Sequence, residues 1–339
     1  MHATTIAVDL AKSVFQISLA NQANRVIDRK RLTRSQFERF ISQYPATNIV
    51  MEACATANFW SQYAQAHGHT TKLLHAYYVR PYVRRNKTDS ADADALLRAH
   101  KDPHLLPVPT KYPDQQALQG LHRIRQQLIR TRTGRINLAR ALLAEFGIPL
   151  ARGTAAIGKR LMAPIEELPV VLHAEFGDLI TEIMALKLRM EQTDKLLASI
   201  ARNDATAQIL MSVPGIGVTT ATALIAGVPD IHLFKRARQF SAWLGVTPRE
   251  HSSGNKRRLG AISKQGDTYL RTLMVHCARS ALQQAHRQYA KDPGQVSSLQ
   301  HWVLQLETSR PRNVTTVALA NKMARLVWVI WTQSRDYKP

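Results

Sequence analysis

Thr4-Thr5-Ile6-Ala7-Val8-Asp9 is a short β-rich run that closes on an acid. Working outward from it, Val14-Phe15-Gln16-Ile17-Ser18-Leu19 is a second run and Arg25-Val26-Ile27 a third, which predicts an antiparallel meander. A helix over residues 35–43 follows, and then Asn48-Ile49-Val50-Met51-Glu52, a buried strand that also ends in an acid. A helix over 58–66, a strand over 71–74 and a helix opening at Thr88-Asp89, with Thr88 as its cap, complete an α/β domain with a mixed sheet.

The whole chain has 339 residues, length for about two domains. Its 46 Lys+Arg against 24 Asp+Glu give a formal net charge of +22. A surplus of that size repels itself and suits a polyanionic partner, nucleic acid first and an anionic membrane surface second. With 45% hydrophobic and 21% charged residues the chain is globular, which excludes a disordered basic tail. Cys54 and Cys277 lie far apart with no CxxC partner, against a disulfide framework or a Cys-based zinc site and in keeping with a reducing compartment. The first residues lack the charged-then-apolar order of a signal peptide. The most apolar late stretch, 314–331, contains Asn321, Lys322 and Arg325, so it predicts a buried helix rather than a membrane span. The expected place is the cytoplasm, at the nucleoid.

Three blocks follow from the pattern: 1–112, the α/β domain; 113–205, an Arg-rich helix and a coiled-coil region; and 206–339, a mainly α block. Residues 118–146 are helical and carry Arg123, Arg125, Arg130, Arg132, Arg135 and Arg140. After a Gly- and Pro-punctuated break over 147–169, Leu172, Phe176, Leu179, Ile183, Leu186, Met190, Thr193, Leu197 and Ile200 step alternately by four and three. That heptad seam serves either two antiparallel helices of one chain or, in addition, the pairing of protomers into a dimer or tetramer. In the third block, Pro214-Gly215-Ile216-Gly217 followed by a helix has the form of a helix-hairpin-helix. The backbone N–H groups of Gly215 and Gly217 are then candidates for phosphate, the alternative being a turn used only for packing. Basic residues crowd this block, with Arg249, Lys256, Arg257, Lys264 and Arg271 as candidate phosphate contacts or, more plainly, a solvated basic face.

In so basic a chain the acids at structural landmarks ask for a reason. Asp9 and Glu52 close strands, and Asp89 and Asp92 sit three apart at a helix start, on one face. Singly, each suits a strand-ending turn or a helix N-terminus. Together, four carboxylates would repel unless counterions offset them, and two Mg²⁺ ions match both that charge and the two-metal clamp of phosphodiester chemistry. Their order along the strands is that of an RNase H/RuvC-like sheet. Asp94, two residues on, is turned off the Asp89/Asp92 face and ranks below them.

Val8-Asp9-Leu10-Ala11-Lys12, Met51-Glu52-Ala53 and Asn86-Lys87-Thr88-Asp89-Ser90-Ala91-Asp92-Ala93 resemble the DEDD transposases of insertion sequences, the group that includes Piv-type DNA invertases. Phe240-Ser241-Ala242-Trp243-Leu244-Gly245-Val246-Thr247-Pro248, Ser252-Ser253-Gly254 and Ile262-Ser263-Lys264-Gln265-Gly266-Asp267 are similar to the second domain of that family, and so is Pro214-Gly215-Ile216-Gly217. The resemblance spans nearly the whole chain, in order. It implies Mg²⁺ at Asp9, Glu52, Asp89 and Asp92, and a nucleophilic serine at Ser253 with Ser252 as the first alternative. It also implies donor and target DNA as partners and a structured guide RNA, the bridge RNA, that pairs with them. From the residues alone, Ser-Ser-Gly-Asn is a turn. Two other functions stay open at this stage: a RuvC-like nuclease in which water attacks, and a non-catalytic nucleic-acid scaffold.

Overall fold

The computed structural model describes residues 3–83, 89–149, 165–254 and 256–338. Thr88, the expected helix cap, and its neighbours Asn86 and Lys87 lie outside the described residues, as does most of the 147–169 interval. The chain divides into two compact units, Met1–Pro113 and Asp114–Pro339.

The first unit is built on a five-stranded sheet: β1 (Thr5–Asp9), β2 (Val14–Ala20), β3 (Val26–Thr33), β4 (Asn48–Glu52) and β5 (Thr70–Leu74). The spatial order is β3-β2-β1-β4-β5. The predicted meander is present, β1 and β3 both pairing antiparallel with β2, while β4 lies parallel to β1 and β5 parallel to β4. Alternation along the strands sends side chains to two layers. Ile6, Val8, Ile49 and Met51 pack with α1 (Arg34–Gln43) and α2 (Ala57–Ala66), where Phe15, Phe37 and Trp60 meet edge to face with ring centroids 4.9–5.1 Å apart. Ala7, Ala20, Val50 and Leu74 face the other way, onto Ala95, Leu96 and Ala99 of α4 (Asp89–His100). A four-residue helix, α3 (Ala76–Val79), lies between β5 and α4. β3 is longer than its three predicted residues because it is an edge strand, and Asp28, Arg29 and Lys30 keep that edge polar and exposed. A capping box between Thr33 and Gln36 starts α1.

Among its described residues the second unit is helical except for one small hairpin. α5 (Pro113–Glu145) and α6 (His173–Asn203) run antiparallel along each other. Ile136 and Leu143 share a cluster with Phe176, Ile180 and Ile183; Leu128 joins Leu186 and Met190; Leu118 joins Leu197. Arg135 to Glu182 (2.7 Å) and Arg125 to Asp194 (2.5 Å) bridge the two helices. Five positions of the expected heptad seam, Phe176, Ile183, Leu186, Met190 and Leu197, are buried in this way against a helix of the same chain.

α7 (Ala205–Met211) and α8 (Val218–Gly227) flank the Pro-Gly-Ile-Gly turn, and α9 (Ala237–Trp243) precedes the hairpin of β6 (Pro248–Glu250) and β7 (Leu259–Ile262). α10 (Thr268–Lys291), α11 (Ser298–Ser309) and α12 (Arg312–Thr332) complete the unit. Its core centres on Met274, Cys277, Ala278 and Leu282 of α10 against Leu224 of α8 and Met323, Ala324 and Val327 of α12. The apolar stretch 314–331 is thus a core helix, and among the described residues no helix is long and apolar enough to cross a membrane. The segment after Pro293, without a motif in sequence, supplies Leu299 and Val303 to the same core.

Candidate active site

Asp9 and Glu52 are the last residues of two adjacent parallel strands. Val8 stands opposite Met51 in the register, so the two acids that follow are neighbours across the ladder, about 5 Å apart in backbone. They share the alternation of Ala7 and Val50, which face α4. The direction of α4 over the sheet follows from two contacts. The Ser18 hydroxyl, on the residue opposite Ala7, donates to Asp94 Oδ1 (2.8 Å), and Asn24, in the β2–β3 turn, donates to the Leu97 carbonyl (2.9 Å). The helix therefore starts at the edge where β1 and β4 end. Asp89, its first residue, begins about 7.5 Å before Asp94 along the axis, comparable to the roughly 6.6 Å from Ala7 to Asp9 along β1. Asp92 lies on the same stripe as Ala95, Leu96 and Ala99. Small residues on both surfaces, Ala7 and Ala20 against Ala95 and Ala99, let α4 lie close to the sheet.

Fold topology thus brings the four acidic positions to one sheet edge. Among the described residues no three His, Cys, Asp or Glu groups come close enough to hold a metal ion. Asp94 has another job. It accepts from Ser18 and pairs with Arg29 Nη2 at 2.7 Å, locking α4 to β2 and β3. The donor set at the edge is all carboxylate oxygen, the chemistry that hard divalent cations prefer.

The serines lie on the β6–β7 hairpin, which is exposed along both strands. His251 N–H donates to Arg258 O (2.9 Å), and Ser253 and Lys256 exchange backbone bonds of 3.3 and 3.2 Å around the turn. Gly254 has φ +55°, the left-handed backbone that a two-residue hairpin turn requires. The two serines differ. Ser252 Oγ donates to Glu250 Oε1 (2.7 Å) and accepts from Arg258 N–H (3.1 Å). The Ser252 hydroxyl and the nearby Arg257 hold the Glu250 carboxyl below its ordinary value. The Ser253 hydroxyl has no hydrogen-bond partner among the described residues and is exposed at the tip.

The hairpin's root is rigid. Ser263 N–H donates to Thr247 O (2.8 Å), and Lys264 N–H to Gly245 O (3.2 Å). Gly245 (φ +73°) and Gly266 (φ +82°) interlock there: a Cβ on the first would sit 2.0 Å from Gln265 O, and on the second 1.9 Å from Trp243 O. Lys256, Arg257 and Lys264 are exposed. Arg249 Nη2 donates to Ser263 O (3.1 Å), and Arg271 donates to Gln265 O and Thr268 Oγ1 (both 3.1 Å), so both also fasten the root. At the other predicted contact, Gly215 (φ +88°) is pressed onto α10, where a Cβ would lie 2.4 Å from Cys277 O. Gly217 is exposed at the start of α8.

Pattern alone did not find the buried His122. It bridges the Tyr269 hydroxyl and Thr222 Oγ1, each at 3.0 Å. Tyr269 in turn interacts with Arg125, the partner of Asp194. This polar chain joins α5, α6, α8 and α10, and no local spacing could announce it because the partners are 100 and 147 residues away.

Two family models match the chain. A DEDD transposase model of the IS110 type covers residues 6–148, and the transposase model of the IS116/IS110/IS902 family covers 207–293. A probable family 20 transposase of Pseudomonas aeruginosa is 39% identical, with both chains covered in full. The transposase for insertion sequence element IS1328 of Yersinia enterocolitica is 37% identical over 97% of each chain. A pilin gene-inverting protein of Moraxella bovis is a more distant relative, 21% identical over 99% of this chain and 98% of its own. A DEDD-type domain goes with the use of divalent metal in general, and transposases bind DNA. The chain belongs to the IS116/IS110/IS902 family of insertion-sequence transposases, enzymes that cut and rejoin DNA.

Proposed function

We propose that the protein cuts and rejoins DNA through a covalent phosphoserine intermediate formed by Ser253, with the carboxylates of Asp9, Glu52, Asp89 and Asp92 as the holders of Mg²⁺. The observation that carries the serine assignment is the contrast on one hairpin, where the Ser252 hydroxyl is engaged twice and the exposed Ser253 hydroxyl has no partner among the described residues. In the step itself Ser253 Oγ forms a bond to phosphorus while a P–O bond to a deoxyribose oxygen breaks. The serine proton goes to a base or to water, and the leaving oxygen takes one up. Rejoining is the reverse with a different strand. Since one phosphodiester replaces another, no high-energy co-substrate is needed.

When bound, Mg²⁺ would supply Lewis acidity at the phosphate and charge to offset the acids. The chain's own contribution is to bring the four acidic positions to one edge, in the strand order 3-2-1-4-5 that supports a RuvC-like reading of this unit. Lys256, Arg257 and Lys264, with Arg249 and Arg271 at the root, would hold phosphates beside Ser253. Gly217 at the start of α8 is the better placed of the two glycines of the proposed helix-hairpin-helix, since Gly215 faces α10. Guidance by a structured RNA fits a basic surface that reads backbone rather than bases. Pairing of protomers through the α5–α6 hairpin, as dimer or tetramer, and residence at the nucleoid belong to the same proposal, as does the division into 1–112, 113–205 and 206–339. DNA inversion is the second reading, favoured by the relation to the pilin gene-inverting protein.

The test is a denaturing gel of protein incubated with donor DNA and Mg²⁺. Wild type should show a protein–DNA adduct, Ser252→Ala should keep it, and Ser253→Ala should lose it. Asp9→Asn should lose strand cleavage by at least 100-fold. An adduct that survives Ser253→Ala overturns the assignment, and hydrolysed ends without any adduct would point to water as the nucleophile.

A further inference from the structure

Three tyrosines fall within six residues just past β5; Tyr82 is bonded into the fold, while Tyr78 meets the His75 ring edge on, centroids 5.9 Å apart. Tyr82 is half-buried and donates to Asp102, and its carbonyl accepts from Arg98 Nε at 3.0 Å. Val79 is 4% exposed and packs under α4 with Ala95 and Leu97. The backbone between these anchors is thereby fixed. Tyr77 and Tyr78, by contrast, are 67% and 50% exposed, with ring centroids 5.3 Å apart and planes at 83°. Their rings cover no core.

Their address is specific. Leu74, at the end of β5, stands opposite Glu52 in the parallel register, and Ala53 N–H donates to Leu74 O at 2.8 Å. Tyr77 is three residues further on, beside the sheet edge that carries Asp9 and Glu52. The sequence from 75 to 88, with Arg80, Arg84, Arg85 and Lys87 and no acid, favours a polyanion over an apolar protein groove as their partner. Arg80, two residues after Tyr78, is exposed. Two displayed aromatic faces with bases alongside are the elements of a stacking site for an unpaired nucleobase, which needs a π-face and a neutralised phosphate and little else.

We propose that Tyr77 and Tyr78 form a stacking platform for an unpaired base of the DNA strand held at the Asp9/Glu52 edge, with Arg80 on its phosphate. The proposal rests on the reading of that edge as the place where DNA is cut. One ring takes the base face to face while the other, at a right angle, closes on its edge. A duplex cannot offer that face, so the platform selects a strand that has been opened.

The test uses the full-length protein and a single-stranded oligodeoxynucleotide containing one 2-aminopurine, without Mg²⁺. Binding should quench the fluorescence. Tyr77→Ala and Tyr78→Ala should each weaken binding by about tenfold and remove quenching, Tyr77→Phe and Tyr78→Phe should stay within about twofold of wild type, and Arg80→Ala should flatten the salt dependence. Circular dichroism of each variant excludes unfolding as the cause. Unchanged affinity and quenching in the double alanine variant overturn the proposal, and so does a loss confined to an oligoribonucleotide of the same sequence. If Asp9→Asn cuts DNA at the wild-type rate, the metal reading fails while the quench still reports on the tyrosines.

Discussion

His122 is 3% exposed, and burial together with the nearby Arg125 lowers its pKa to about 4. Its tautomer follows from its neighbours. Thr222 Oγ1 donates to Val218 O (2.8 Å), so it accepts from His122 Nε2–H, and Nδ1 accepts from the Tyr269 hydroxyl. The imidazole is thus neutral in the folded protein, and protonation would set a charge beside a guanidinium. The unfolded chain takes up that proton near pH 6.5 and the folded one only near 4. The stability His122 contributes is therefore complete above about 6.5 and is lost as pH falls toward 4, on the order of 3 kcal/mol in all. His122→Gln should lower stability by about 1–3 kcal/mol at pH 7.5 and flatten the pH dependence between 6.5 and 4.5. Urea midpoints of both proteins across that range check it; parallel curves would refute the linkage. A similar economy explains why Asp94, and not only Asp89 and Asp92 of the proposed metal edge, stands on α4: the Arg29 pair at 2.7 Å holds the helix whose first turn carries those two acids.

At the scale of elements, the β6–β7 hairpin owes its position to the crossing of two loops at Gly245 and Gly266. Both have positive φ, and a methyl group at either would collide with backbone oxygen at about 2 Å. Gly254, also at positive φ, has open space around it. Gly245→Ala and Gly266→Ala should then each cost at least about 2 kcal/mol, against about 1 kcal/mol for Gly254→Ala; denaturant titrations of the three variants measure the order, and an equal effect at all three would contradict the interlock. The same contrast marks what sequence could reveal. Strands β1 and β4 were legible to within one residue because buried runs ending in Asp9 and Glu52 leave no other reading. β3 was not, since Asp28, Arg29 and Lys30 are the polar edge of a sheet and look like a loop. The heptad seam of α6 was legible as a seam, but period alone does not name the partner, which in the folded chain is α5. The glycines could be read as turns, while the oxygen atoms that exclude a Cβ, of Gln265 for Gly245 and Trp243 for Gly266, come from distant parts of the sequence and leave no local trace.

Over the whole molecule the +22 charge is divided between groups that fasten the protein and groups that remain available. Arg29, Arg125 and Arg135 are paired with Asp94, Asp194 and Glu182. Arg249 and Arg271 donate to backbone or side-chain oxygens at the hairpin root. Lys256 and Lys264 are exposed on or beside the hairpin and make no ion pair among the described residues. Only a cation that replaces condensed counterions on DNA contributes to the salt dependence of binding, each phosphate contact adding about 0.9 to the slope of log K against log salt on a duplex. Lys256→Ala and Lys264→Ala should therefore each reduce the slope by about 0.9 and weaken binding at low salt, with little change in melting temperature. Arg271→Ala should lower the melting temperature as well, because its guanidinium closes the loop that carries Gly266. Fluorescence anisotropy of a labelled duplex between 50 and 300 mM salt, beside thermal melts, separates the two outcomes. If Lys256→Ala and Lys264→Ala leave the slope unaltered, the hairpin does not lie on the DNA in the way its exposed serine requires.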